Sequence, residues 1–126
     1  MALSSEFEEK DGYVIARISG VEALPNEYHE QVRLILAYCE AAQCFNVLID
    51  ETEAHSCVTV KQEYELSNWL LSNPLMVKMK RIAWIGKQDK YERAKVFEGF
   101  TRIQDIDFHV FRRREAAERW LRGGSR

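Results

Sequence analysis

Residues 45–62, Phe-Asn-Val-Leu-Ile-Asp-Glu-Thr-Glu-Ala-His-Ser-Cys-Val-Thr-Val-Lys-Gln, constrain this chain more than any other stretch. Residues 45–49 are short, rich in branched side chains and mostly apolar, which suits a strand covered by helices on both faces. Two acids, Asp50 and Glu51, follow directly. Thr59 and Gln62 stand at the spacing of a capping box, in which the Thr59 hydroxyl accepts from the Gln62 backbone N–H and the Gln62 side chain reaches back. The stretch therefore predicts a buried strand, a polar loop and a capped helix. It gathers Asp50, Glu51, His55, Ser56, Cys57 and Thr59 where the strand ends and a positive helix terminus begins.

The rest of the chain arranges itself around this hinge. Residues 6–9 read as a short strand, Asp11-Gly12 as a hairpin turn, and residues 13–19 as the returning strand, closed by Gly20. Pro25 suits a first helical turn, and Tyr28, Val32, Ile35, Cys39 and Ala42 then recur at helical spacing. A second helix is predicted over residues 60–71 and stopped by Asn73-Pro74. Residues 76–81 lead into a strand at 82–85 that Gly86 ends. Asp89 and Glu92 have the spacing of another helix cap, and Gly99 is the expected end of that helix. Residues 107–111 form the last strand, residues 115–122 the closing helix, and residues 123–126 a flexible tail.

The order β-β-α-β-α-β-α-β-α implies one α/β domain over residues 1–122. Its single-layer sheet is mixed and mainly parallel, with about five strands, an N-terminal antiparallel hairpin and four helices. The order of strands across the sheet does not follow from this pattern. At 126 residues the chain has room for one real core and little else. No apolar run approaches the roughly 20 residues of a membrane span, and the first residues lack the basic start and apolar body of a signal peptide. Three cysteines without metal-type spacing point to a reducing, cytoplasmic setting. The net charge of −2 conceals an uneven chain, because residues 1–77 hold 4 Lys and Arg against 13 Asp and Glu. Either the two halves interleave and neutralise each other, or the domain has one acidic and one basic face.

Three stretches carry a family resemblance: Val47-Leu-Ile-Asp50 before a helix, Arg81-Ile-Ala-Trp-Ile-Gly86 before an amphipathic helix, and Phe108-His-Val-Phe111 followed by Glu115-Ala-Ala-Glu-Arg-Trp-Leu121. In this order they resemble the STAS superfamily, and within it the SpoIIAA-like small bacterial domains, some of which are similar to CRAL-TRIO lipid-binding domains. The resemblance covers residues 5–122. It implies a non-enzymatic regulatory or protein-binding module, with a phosphorylatable Ser or Thr at the helix start after the third strand. Ser56 and Thr59 stand near that place, but the Asp-Ser-Ser/Thr-Gly signature of partner-switching members is absent.

The candidate residues divide into two sets. Asp50, His55, Ser56, Thr59 and Lys87 are candidates for partner contact or phosphorylation, with Asp50 able instead to pair with Lys87 as a structural link. Trp69, Leu70 and Leu71 are candidates for a pocket that would carry a lipid or another apolar small molecule between the second and third helices. His55, Ser56 and Cys57 are too close in sequence to face one another as a nucleophile and its base. Asp50, Glu51, Glu53 and His55 match no metal loop, and no glycine-rich phosphate loop is present, so neither metal nor cofactor is expected. Arg112, Arg113 and Arg114 stand where the last helix begins, against its dipole. The slightly acidic chain shows no aromatic-basic interleaving for nucleic acid. The expected partner is another protein, with a homodimer or an apolar small molecule as further options. An enzyme stays open only if Asp50, His55 or Cys57 share a pocket with mutually bonded side chains.

Overall fold

The computed structural model describes residues 2–22, 27–55 and 59–124, without the side chains of residues 60, 63 and 71. Strands β1 (Ser4–Lys10) and β2 (Tyr13–Val21) pair antiparallel, with Lys10 opposite Tyr13. Asp11 and Gly12 between them both have positive φ, 50° and 87°, the backbone twist that a two-residue hairpin needs. Helix α1 (Glu27–Ala42) leads to β3 (Asn46–His55), and α2 (Val60–Ser72) with a 3-10 turn (Pro74–Lys78) leads to β4 (Arg81–Gly86). A second 3-10 turn (Gln88–Lys90), α3 (Tyr91–Ile103), β5 (Phe108–Val110) and α4 (Arg114–Leu121) complete the chain.

The sheet runs β1-β2-β3-β4-β5, and every pair after the hairpin is parallel. Each parallel step moves one strand further in the same direction, so right-handed crossovers bring α1, α2 and α3 to one face. That face holds the larger core, in which Val14, Val47, Ile49 and Ile82 meet Ile35, Leu66 and Ala94. The opposite side chains of the same strands, Tyr13, Ile15, Leu48, Ala83 and Ile85, pack under Ala117, Trp120 and Leu121 of α4. The strand expected at 45–49 is thus central and covered on both sides, with Val47 and Leu48 both buried.

Several element ends differ from the sequence reading. Most consequentially, β3 does not stop at Ile49. Asp50 and Glu51 pair with Ile85 and Gly86 of β4, and Glu53, Ala54 and His55 pair with Ser19, Gly20 and Val21 of β2. The first part of the predicted polar loop is therefore strand, because β2 runs on past the end of β4 and keeps pairing with it. Gly20 lies inside β2 at φ 103°, where a Cβ would collide with the Ala2 carbonyl. The residues before β4 form a 3-10 turn, started by Pro74 and capped by the Asn73 side chain at the Leu75 N–H, 3.0 Å away. The cap expected at Asp89 is not made: the 3-10 turn absorbs that residue, and α3 starts after Lys90 with no side-chain cap. Gly99 lies within α3 and does not end it. Asp105 does so at φ 59°, with the Asp105 and Ile106 N–H groups returning to the Arg102 and Thr101 carbonyls. The turn predicted around Pro25 falls on residues outside the described ones.

The two halves of opposite charge interleave. Lys78 pairs with Glu40 at 3.0 Å, Lys10 with Glu118 at 3.3 Å and Arg114 with Asp50 at 3.2 Å. Each of these pairs joins an acid or base from one half to its opposite in the other.

Candidate functional site

The site is built on an irregularity in β3. Arg17 of β2 pairs with Asp50, but the next pair is Ser19 with Glu53, so Ile18 alone faces both Glu51 and Thr52. This extra residue is a β-bulge, which leaves an N–H without its ladder partner. Asp50 supplies the missing acceptor: its Oδ1 takes the Thr52 N–H at 2.9 Å and the Thr52 hydroxyl at 2.6 Å. Its Oδ2 takes the Arg114 guanidinium at 3.2 Å. Arg114 also reaches Glu118, which accepts from Lys10 and from the phenol of Tyr13. Burial raises the affinity of Glu118 for a proton, but the Tyr13 and Lys10 donors and the charges of Lys10 and Arg114 outweigh it, so its carboxyl titrates below the usual range. Burial, with Glu118 adding, pushes the Tyr13 phenol up to about 12.

These contacts account for two residues of the basic run that opposes the α4 dipole. Arg114 is held by Asp50 and Glu118, and Arg112 lies over the Tyr91 ring with its guanidinium carbon 3.7 Å from the centroid. They also correct the pairing expected for Asp50: its base is Arg114, while Lys87 Nζ lies 2.5 Å from His55 Nε2. Asp50 belongs to the α4 side of the sheet, apart from the other candidates.

On the opposite side the bulge has a second effect. Val47, Ile49 and Glu51 alternate toward α1–α3, and the extra residue then makes Ala54, not Glu53, the next side chain on that face. A cavity of about 370 Å³ lies there, between the sheet and the three helices. Ile49, Ile82 and Trp84 form part of its sheet wall; Leu36, Leu70 and Phe97 line it from the helices. Trp84 lies over Gly86, where any Cβ would overlap its indole.

Apart from Thr101, whose hydroxyl donates to the Glu98 carbonyl, the polar lining comes from one end of the domain. Tyr28 lies in the first turn of α1, Glu51 late in β3, Thr59 at the cap of α2, and Lys87, Asp89, Lys90 and Arg93 between β4 and the first turn of α3. The half-buried Glu51 accepts from the Tyr28 phenol. Burial pushes its carboxyl up to about 7, and the neighbouring Asp50 charge adds to this, against the donors of Tyr28 and Trp84. Thr59 is committed to the capping box: its hydroxyl accepts from Gln62 N at 3.1 Å, and Gln62 Oε1 accepts from Thr59 N at 2.8 Å.

Among the predicted site residues, Thr59 and Lys87 thus come together at the cavity, with His55 held against Lys87. Ser56 and Cys57 lie outside the described residues. Leu70 lines the cavity, Trp69 packs edge-on against His29 instead, and the Leu71 side chain is not described. No group of three His, Cys, Asp or Glu among the described residues is arranged to hold a metal. The sequence reading weighed Glu51 only within the polar rim and as a metal ligand, gave Arg114 no partner, and did not single out Tyr28 or Trp84. For Glu51 a signal existed, since the two-residue period of a strand puts it on the same face as Val47 and Ile49, an acid on an apolar stripe.

By sequence the chain matches no family model and no curated protein. By structure it is similar to an anti-sigma factor antagonist from Mycobacterium paratuberculosis, with a TM-score of 0.61 at 13% identity over 96% of this chain and 95% of the other. It is also similar to a protein from Shewanella loihica described as having a SpoIIAA-like fold, with a TM-score of 0.58 at 20% identity over 94% and 93% of the two chains. The chain has a SpoIIAA-like fold along essentially its whole length.

Proposed function

From that fold we propose that the chain is a non-enzymatic regulatory module of the bacterial cytosol, which binds another protein through the end of β3 and the start of α2. The observation that carries this reading is the likeness, over almost the entire chain, to an anti-sigma factor antagonist. The side chains at that end of the domain add support, because each is engaged in a contact within the fold: Thr59 caps a helix, Asp50 closes a bulge and His55 meets Lys87. Ser56, and with it Thr59, is the place where phosphorylation would act on such a contact, by adding charge beside a helix start.

A photo-crosslinking residue placed at Thr59 in the native host tests this. The expected result is one captured protein, lost when His55 and Lys87 are replaced by alanine, and no capture from a crosslinker at Glu9 on the outer strand β1. Equal capture from both positions, or none from Thr59, would refute it. The cavity supports a second reading, carriage of an apolar small molecule, because a space of about 370 Å³ lies within the usual range of ligand pockets.

A further inference from the structure

The cavity is asymmetric in a way that specifies its occupant more closely than "apolar". Its volume of about 370 Å³ holds on the order of a dozen non-hydrogen atoms at roughly 30 Å³ each. Its inner lining is aliphatic and aromatic, while its charged groups all come from the end of the domain where β3 and β4 finish. There three cations, Lys87, Lys90 and Arg93, stand with one acid, Asp89, and with the Glu51 carboxyl. The charges at that end favour a negative group, and the remaining walls favour a chain without polar atoms.

We propose that this cavity binds a small amphipathic acid, with its apolar chain between the sheet and α2–α3 and its anionic head against Lys87 and Lys90. The inference rests on the carrier reading and makes it specific. Ala54 in place of Glu53 on this face keeps a second carboxylate out of the wall that such a ligand would touch. The Trp84 indole, packed close against Gly86, adds an aromatic surface to the wall that the chain would touch.

The test uses the full chain and three probes of one length, decanoate, decanol and decylamine, titrated by calorimetry and by tryptophan fluorescence. Decanoate should bind saturably at one site per chain, about tenfold more tightly than decylamine. Charge reversal at the surface, Lys87→Glu with Lys90→Glu, should weaken decanoate about tenfold and leave decanol unchanged. Ala94→Trp, which fills the cavity from α3, should abolish binding of all three. If that variant does not fold, the charge-reversal pair still decides. Decanol and decylamine binding as tightly as decanoate would overturn the acidic head and leave the carrier reading standing. No saturable binding of any probe would overturn both.

Discussion

Replacing Glu51 by glutamine should stabilise this protein at pH 8 and change little near pH 4. The Glu51 carboxyl is pushed from 4.5 up to about 7, chiefly because burial disfavours its charge. The folded chain therefore keeps a proton that the unfolded chain has already released. The sign follows directly. Stability is greatest below 4.5, where both states are protonated, falls as the pH rises toward 7, and levels off above it. At about 1.36 kcal/mol for each tenfold change in proton affinity, the loss across that window is roughly 3 kcal/mol. Glutamine keeps the shape and an oxygen to accept from Tyr28, but it carries no charge to desolvate. Urea unfolding of both proteins from pH 4 to pH 8 measures the effect, and the other titrating groups cancel in the difference between them. The variant's advantage should grow to roughly 3 kcal/mol by pH 8. An advantage that stays constant over this range, or a variant less stable at pH 8, would refute the placement of this carboxyl in an apolar wall.

Three further outcomes test the packing around the site. Gly86→Ala places a methyl inside the Trp84 ring, so the indole must rotate; a loss of about 1–3 kcal/mol with an altered near-ultraviolet circular dichroism spectrum is expected. Glu98, 2% exposed, accepts from the Val110 N–H at 2.7 Å and from Lys95 at 2.6 Å, tying α3 to β5. Chemical unfolding should show Glu98→Ala costing about 1–3 kcal/mol, because the buried Val110 N–H loses its acceptor, against less than about 1 kcal/mol for Lys95→Ala, which leaves Arg102 beside Glu98 at 3.3 Å. Asp105 occupies a left-handed position at φ 59° where glycine is unstrained, so Asp105→Gly should raise stability by up to about 1 kcal/mol, read from a higher urea midpoint.

What could be read in the sequence was whatever depends on local pattern. The Asp11-Gly12 turn, the Thr59–Gln62 capping box and the buried run through Val47 and Leu48 all stand as expected, because each is set by residues only a few positions apart. The α/β order followed from the same signals. The order of strands across the sheet, and the extension of β3 to His55, depend on pairing with β2 and β4, which no window of one strand contains. The site was legible only in part for the same reason. Thr59 and Lys87 lie about thirty residues apart yet line one cavity, while Asp50 and Glu51 are adjacent and lie on opposite sides of the sheet. Adjacency in the chain suggested a shared acidic cluster, and the pleat of the strand divides it.

The extra residue opposite Ile18 gives one strand two phases. Before it, odd-numbered side chains face the three helices; after it, even-numbered ones do. Deleting Thr52 would therefore close the bulge with Ala54 still in the lining and Glu53 still outside it, and Asp50 would lose the N–H and hydroxyl that it accepts from. In a sheet of this kind the bulge lets a strand carry one residue more or fewer while the side chains that line the interior stay the same.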